Sequence, residues 1–343
     1  MTETRDRGWA ARLAMREDWL AQGREPALEP EREIVDPHHH LWDRGGARYL
    51  VPELQTDVAE GHRVVQSIFI ECRAFWREDG PEHLRPVGET EAVAAMAGEA
   101  AERGAPAIAA IVAHADLRSP HLEETLDAHE VAGRGLFRGI RHSAAADASG
   151  ALAIPGREGP GLYRDEAFLK GLALLGERGL TYDAWHYHHQ MPDFRAAAEA
   201  VPGTTMILDH FGTPLGVGPY EGPRAEIFER WKDDLAAVAE RPNVVAKLGG
   251  LAMPDNGFAF HEAERPPSSE ALAEAQRPWI AHTIERFGPE RCMFESNFPV
   301  DRASAPYGTF WNAFKRLSAH LPEADKAALF AGTPRRVYRL PLP

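Results

Sequence analysis

The chain has little cysteine, a shortage of positive charge and no long apolar run, and each of these excludes a class of protein. Two cysteines in 343 residues are too few for a disulfide scaffold. Lys and Arg total 38 against 52 Asp and Glu, a net charge of −14, so the basic face that nucleic acid requires is not expected. The sequence has no apolar run of about 18 residues and no signal-peptide core, which excludes a transmembrane helix. We therefore expect a cytoplasmic protein that binds neither nucleic acid nor membranes.

The chain does have a regular alternation of short, strand-like apolar runs with longer helical ones. Strands buried on both faces and separated by helices indicate a parallel sheet. Eight such units predict an α/β protein with a distorted (β/α)8 TIM barrel. An open, doubly wound sheet is the alternative, although no GxGxxG motif follows an early strand. The predicted strands are 34–40, 64–72, 107–117, 137–143, 180–188, 204–212, 244–253 and 291–299.

The first 30 residues precede this pattern and differ from it. They predict a charged, amphipathic helix over about 6–22 that ends at a glycine and is followed by a linker containing Pro and Glu. We therefore divide the chain into an N-terminal helical extension, 1–30, and a barrel domain, 31–343. The extension is expected to pack on the barrel or on a second subunit, which leaves a homo-oligomer open.

Ionisable side chains stand at the ends of nearly all predicted strands. In a (β/α)8 barrel the active site lies at the carboxyl-terminal ends of the strands, so this placement predicts an enzyme that acts on a small molecule. The ionisable side chains concerned include His38, His40, Glu71, Arg141, His142, His189, His210 and Lys247, and the neutral amide of Asn297 stands at the end of the last strand.

Three consecutive histidines end the first predicted strand. Because side chains alternate along a strand, His38 and His40 are expected on one face and His39 on the other. Two imidazoles on one face can chelate a divalent ion such as Zn²⁺. The alternative is a pair of hydrogen-bonded histidines without a metal. By the same alternation, Asp209 is expected to face away from its neighbour His210.

The order of these motifs resembles a known family. The stretch Asp36-x-His38-x-His40-x-Trp42 resembles the first-strand signature of the amidohydrolase superfamily. It is most similar to the branch that holds 2-pyrone-4,6-dicarboxylate lactonase and sugar lactonases. The resemblance covers roughly 34–340, and its other motifs are HHQMPDF (188–194), MILDHFGTP (206–214), NVVAKLGGL (243–251), RCMFESNFPVD (291–301) and GTPRRVYRL (332–340).

The resemblance implies a hydrolase in which water attacks the carbonyl carbon of a lactone or amide. It also implies one bound divalent metal ion, or direct polarisation of the substrate in the metal-independent lactonases. The ligand set that it implies is His38, His40, His189 and His210.

One residue departs from the family pattern. Asn297 occupies the position of the aspartate that deprotonates the attacking water, and a neutral amide cannot accept a proton. We favour Glu71 or Asp301 as the replacement, with Asp209 and Glu295 as further candidates. The alternative role for either favoured residue is an ion pair with a nearby arginine, Arg73 or Arg302.

Other strand-end residues are candidates for binding the substrate: Trp42, Arg141, His142 and Lys247. The planar fork of Arg141 suits a carboxylate, so a carboxylate-bearing lactone is expected unless Arg141 forms an ion pair inside the barrel. Two other functions stay open besides lactone or amide hydrolysis. One is a metal-dependent decarboxylase of the same branch, and the other is a ligand-binding barrel without activity, which Asn297 favours.

Overall fold

Eight parallel strands with helices around them form a nearly closed barrel, as the sequence predicts. A computed structural model describes residues 16–44, 47–147, 149, 152 and 160–342. The barrel strands are β1 (Glu33–His39), β4 (Arg63–Ile70), β5 (Ala107–Ala113), β6 (Phe137–Ile140), β7 (Thr181–Ala184), β8 (Met206–Leu208), β9 (Val244–Leu248) and β10 (Cys292–Phe294). They pair in that order around the barrel. A small antiparallel pair, β2 (Trp42–Arg44) and β3 (Ala47–Tyr49), follows β1.

Helices connect most of the barrel strands, as a parallel sheet requires. The connecting helices are α2 (Val51–Val58), α3 (Val87–Glu102), α4 (Leu122–Ala132), α5 (Glu166–Glu177), α6 (Met191–Ala200), α7 (Arg224–Ala239) and α8 (Ser269–Phe287). Helix α1 (Glu17–Leu20) precedes the barrel, and α9 (Tyr307–Ser318), α10 (Glu323–Ala327) and α11 (Thr333–Val337) follow its last strand. Within the part of the chain that the structure describes, no helix is long and apolar enough to cross a membrane.

Asp36 joins the first strand to the last. Its carboxylate accepts hydrogen bonds from the Ser296 backbone N–H (3.0 Å), the Ser296 hydroxyl (2.6 Å) and the Tyr307 hydroxyl (3.0 Å). Beside it, the N–H of Asn297 donates to the carbonyl of His38 at 2.9 Å. These bonds close the barrel and fix the segment after β10 against the histidines of β1.

Several strands end earlier than the apolar runs predict. The run 204–212 contains only three strand residues, because His210 (φ 53°) and Phe211 (φ 60°) turn into the left-handed region after Leu208. The runs 180–188 and 291–299 likewise end as strands at Ala184 and Phe294. The apolar composition of a run does not predict where these turns begin, and several site residues lie on the turns.

The described part of the N-terminal extension packs on the barrel. Helix α1 is followed by a 3₁₀ turn, Ala21–Gly23, while residues 6–15 of the predicted helix lie outside the described residues. The indole N–H of Trp19 donates to the carbonyl of Ala263 at 3.0 Å, and Arg16 donates to the carbonyl of His261 at 2.8 Å. Both acceptors belong to the connection that follows β9. The boundary at residue 30 stays a prediction.

Candidate active site

Three of the four predicted ligand histidines meet at the carboxyl-terminal end of the barrel. The Nε2 atoms of His38 and His40 are 3.3 Å apart, and the ring centroids of His38 and His210 are 4.5 Å apart. Nδ1 of His40 lies 2.8 Å from the carbonyl oxygen of Ile70, which orients the ring. Burial lowers the pKa of His38 and of His40 well below the usual value, so both rings are neutral and able to bind a metal.

His39 lies on the opposite face, as strand alternation predicts. Its ring packs edge-on against Phe69 with the ring centroids 6.1 Å apart, and neither ring nitrogen has a hydrogen-bond partner in the part of the chain that the structure describes. Burial lowers the pKa of His39 to about 3, so the ring is uncharged. The histidine tract therefore divides into two residues at the site and one in the packing around the barrel.

Glu295 contacts two of the site histidines at once. Its Oε1 lies 2.6 Å from Nδ1 of His210, and its Oε2 lies 2.8 Å from Nδ1 of His38. Burial acts most strongly and lowers the pKa of His210, but the charge and hydrogen bond of Glu295, together with the charges of Asp209 and Asp301, outweigh it and the pKa is raised. The close approach requires the glycine pair after β9, because a Cβ on Gly249 would lie 2.4 Å from Cγ of Glu295 and one on Gly250 would lie 2.3 Å from Nδ1 of His210.

Asp209 differs from the prediction that it faces away from His210. Its Oδ1 lies 3.8 Å from Nδ1 of His38, and both Asp209 and His210 point into the site. The pleat of β8 ends at Leu208, and the following turn is not bound by strand alternation. Alternation therefore predicts the direction of His40 correctly and that of Asp209 wrongly.

Lys247 is buried under the histidines instead of lining the site for a substrate. Its Nζ lies 2.7 Å from Oδ2 of Asp183, 3.2 Å from Oδ1 of Asp209 and 3.2 Å from Nδ1 of His38. Burial acts to lower the pKa of Lys247, but the carboxylates, chiefly Asp183, raise it overall. Asp183 also accepts a hydrogen bond from the Tyr338 hydroxyl at 2.6 Å. Asp183 is not among the residues that the sequence predicts for the site, although an aspartate within an apolar strand indicates a buried partner.

The chemistry of this cluster fits one divalent ion. His38, Asp209 and His210 offer ligand atoms that all lie within 4.8 Å of one another. Both carboxylate oxygens of Asp209 and Oε2 of Glu295 are buried and accept no hydrogen bond with good geometry from the described residues. Buried carboxylates are costly unless cations are near; Lys247 supplies one at 3.2 Å from Oδ1 of Asp209, and a divalent ion would supply a second. The cluster contains two basic side chains, Arg141 and Lys247, and four carboxyl side chains, Glu71, Asp183, Asp209 and Glu295. If all six are ionised, the carboxylates exceed the cations by two.

The fourth predicted ligand, His189, is not brought to this cluster. It lies in a 3₁₀ turn, His188–Gln190, beyond the end of β7, and is exposed. Its Nε2 lies 3.0 Å from the carbonyl oxygen of Ala146, and its ring stacks on Tyr220. Because the strand ends at Ala184, the chain turns outward before His189. Asp209, and not His189, lies with His38 and His210 in this cluster.

Asn297 and Asp301 lie together beside the histidines. Nδ2 of Asn297 donates to Oδ1 of Asp301 at 3.2 Å, and both side chains are buried. Burial raises the pKa of Asp301 to about 7, and the nearby charge of His210 acts against that rise. The expected alternative, an ion pair with Arg302, does not form, because Arg302 pairs with Asp57 and Glu17 at 2.9 Å each.

Glu71, the other candidate base, is held by an arginine. Nε of Arg141 donates to Oε1 of Glu71 at 2.9 Å, and a second nitrogen of the same guanidinium donates to the Glu71 carbonyl. The third nitrogen, NH1, lies 3.4 Å from Nε2 of His38. For Glu71 the structure therefore shows the ion-pair alternative, with Arg141 as a partner.

The two remaining predicted substrate-binding residues lie in different places. Trp42 is beside the site, with its ring stacked over that of His40 at a centroid distance of 6.0 Å. His142 instead points out of the barrel, where its ring contacts His114 and Phe168, and its Nδ1 accepts from the N–H of Leu117 at 3.2 Å. It directly follows the inward-facing Arg141, so strand alternation accounts for its direction.

The chain is similar to known proteins over most of its length. The sequence profile of a family described as amidohydrolase matches residues 35–340. The chain is 30% identical to the uncharacterized protein y4mH of Sinorhizobium fredii, covering 90% of this chain and 98% of that protein. It is 27% identical to an L-fucono-1,5-lactonase of Burkholderia multivorans, covering 90% and 97%. A crystal structure of an amidohydrolase from Burkholderia multivorans with bound zinc superposes with a TM-score of 0.68 at 27% identity, covering 90% and 99%.

Proposed function

This chain belongs to the amidohydrolase family and is a hydrolase, and we propose that it hydrolyses a neutral sugar lactone at the cluster of His38, His40 and His210. The observation that carries the proposal is the buried, uncharged pair His38 and His40 facing carboxylates at the carboxyl-terminal end of the barrel. The named Burkholderia multivorans lactonase, similar over 90% of this chain, supports a lactone as the substrate class.

We propose His38, Asp209 and His210 as metal ligands, with His40 completing the set. The 3.3 Å between Nε2 of His38 and Nε2 of His40 suits two ligands at about 2.0–2.1 Å from a tetrahedral zinc ion. The zinc of the similar amidohydrolase structure supports this ion. When bound, a divalent ion would supply Lewis-acid polarisation of the lactone carbonyl.

We propose Asp301 as the general base. A pKa near 7 suits a group that must accept a proton at neutral pH, and no arginine pairs with this carboxylate among the described residues. Asp301 takes a proton from the attacking water while the oxygen of that water bonds to the carbonyl carbon of the lactone. The ring C–O bond then breaks, and the protonated Asp301 returns the proton to the leaving alkoxide. Asn297, which cannot accept a proton, orients Asp301 through its hydrogen bond.

Arg141 supports a neutral substrate over a carboxylate-bearing one. Two of its guanidinium nitrogens are bound to Glu71, so the bidentate fork is not available to a substrate carboxylate. Lys247 is likewise held by Asp183 and Asp209 inside the barrel. A substrate with hydroxyl groups instead of carboxylates leaves both ion pairs intact.

A panel of lactones and aromatic acids tests this function. We expect metal-loaded protein to release acid from neutral sugar 1,5-lactones at least tenfold faster, in kcat/KM, than from lactones that bear a carboxylate. Replacing His210 with Asn should abolish that release. Release of CO2 from aromatic carboxylates without acid release from any lactone would instead establish a decarboxylase and overturn the proposal.

We also propose the cytoplasm as the compartment. Cys72 and Cys292 are both free thiols, and burial raises the pKa of each above the usual value. Unpaired, protonated thiols are consistent with a reducing environment. Finding the protein in an exported fraction of its native cells would contradict this assignment.

A further inference from the structure

A second group of metal-binding side chains lies on the rim of the barrel, apart from the active site. It consists of His83, in the connection between β4 and α3, and of His121 and Glu124, at the start of α4. Their ligand atoms all lie within 4.8 Å of one another. We propose that these three residues bind a Zn²⁺ ion that joins the two connections.

The geometry around Glu124 brings two imidazoles to one carboxylate. Oε2 of Glu124 lies 3.1 Å from Nε2 of His83 and 3.6 Å from Nδ1 of His121. The two rings are stacked with centroids 4.4 Å apart. Two imidazoles and one carboxylate, with a water in the fourth position, form a common ligand set for Zn²⁺.

Nε2 of His83 supplies the observation that points to a ligand. This atom is shielded from solvent and makes no hydrogen bond with any of the described residues, because its 3.1 Å contact with Oε2 of Glu124 lacks hydrogen-bond geometry. A buried ring nitrogen without a partner costs free energy. A metal between His83 and Glu124 would give the lone pair of this nitrogen a partner after a small rotation of the rings.

Thr125 holds the two histidines in place before any ion binds. Its hydroxyl lies 3.3 Å from the carbonyl oxygen of His83 and 3.0 Å from that of His121, and its side chain is buried. Because the backbones of both ligand segments are tied to one residue, the cost of ordering the site is reduced. A metal here would clamp the β4–α3 connection, which carries Trp76 stacked on His114, to the start of α4.

Zinc content after dialysis tests the site without any measurement of activity. Chelator-treated protein is dialysed against buffered, micromolar free Zn²⁺, and bound zinc is counted by mass spectrometry. We expect Glu124→Gln and His121→Gln each to hold one equivalent per chain less than the parent. The matched control, Glu123→Gln, removes the adjacent carboxylate, which faces Arg178, and should hold as much as the parent.

Thermal unfolding gives an independent readout. Zinc should raise the Tm of the parent by more than that of Glu124→Gln, because an ion that binds only the folded state stabilises it. His121 and Glu124 are exposed, so these variants are expected to fold without metal. Equal zinc content in the parent, Glu124→Gln and His121→Gln would overturn the proposal. If the barrel site did not bind zinc, the zinc content of the parent and of every variant would fall by the same amount. The difference between the parent and the variants at the rim would remain, so the two outcomes can be distinguished.

Discussion

The side-chain amide of Asn297 donates a hydrogen bond to the carboxylate of Asp301, with 3.2 Å between Nδ2 and Oδ1. The residue at the expected position of the base thus contacts a carboxylate one turn further along the chain. That carboxylate has an elevated pKa, whereas the competing candidate Glu71 is paired with Arg141. In the proposed mechanism, Asp301 therefore takes the role of the base that Asn297 cannot perform.

The pH dependence of turnover should follow Asp301. A base accepts a proton only when ionised, and burial raises the pKa of Asp301 to about 7. We therefore expect log kcat to rise with pH at a slope of about one below pH 7 and to level off above it. Initial rates of acid release at saturating lactone check this. A rate that is flat between about pH 5 and 8 would contradict the role of Asp301.

Burial of the ionised Asp301 carboxylate should lower the free energy of unfolding at neutral pH. Its pKa is near 3.9 in the unfolded chain and about 7 in the folded one, so the folded state holds the extra proton and stability falls as pH rises between these values. Asp301→Asn should therefore match the parent near pH 4 and exceed it above pH 7, by up to the order of 4 kcal/mol. Urea unfolding at both pH values measures this. A parent that is more stable than the variant at pH 8 would refute it.

Adjacent histidines should respond in opposite ways to the same substitution. His40→Leu removes a site nitrogen that lies 3.3 Å from His38, and activity should be lost. His39→Leu removes a buried ring with two unpartnered nitrogens, so activity should persist and stability should rise by about 1 kcal/mol. Kinetics and urea unfolding of the two variants check both statements. Equal loss of activity in both variants would show that His39 and His40 do not lie on different faces of the strand.

Lys247 should be important for stability. Lys247→Met leaves Asp183 and Asp209 buried without their nearest cation, which typically costs about 3–5 kcal/mol. Lys232→Met is the matched control, because Lys232 pairs with Glu229 on a helix surface and its removal should cost below about 1 kcal/mol. The free energies of unfolding from urea titrations decide the matter. Equal losses in the two variants would show that the buried cluster does not need the ammonium.

The strand order and the positions of His38, His40 and His210 could be predicted because they follow from periodicity and from a fixed rule for barrels. Strand alternation assigned His38, His39 and His40 to their faces. The eight apolar runs predict the barrel, and its strands lie in sequence order.

The predictions that fail concern turn geometry and side-chain pairing that no local sequence pattern encodes. Asp209 and His189 lie just beyond strand ends, on turns whose direction depends on single backbone dihedral angles. The pairing of Glu71 with Arg141 and of Lys247 with Asp183 joins strands that are distant in the sequence, and no local pattern encodes it. Apolar periodicity predicts which residues approach the site and leaves their partners undetermined.

The rate of lactone hydrolysis by Asp301→Asn tests the central claim most directly. The substitution keeps the shape of the side chain and an oxygen that can accept from Asn297, but it removes the base. We predict a fall in kcat of about 10²–10⁴-fold with the zinc content unchanged. The matched control is Asp43→Asn, at an exposed carboxylate near the end of the first barrel strand, and it should retain the parent rate. An Asp301→Asn enzyme with parental kcat would contradict the account.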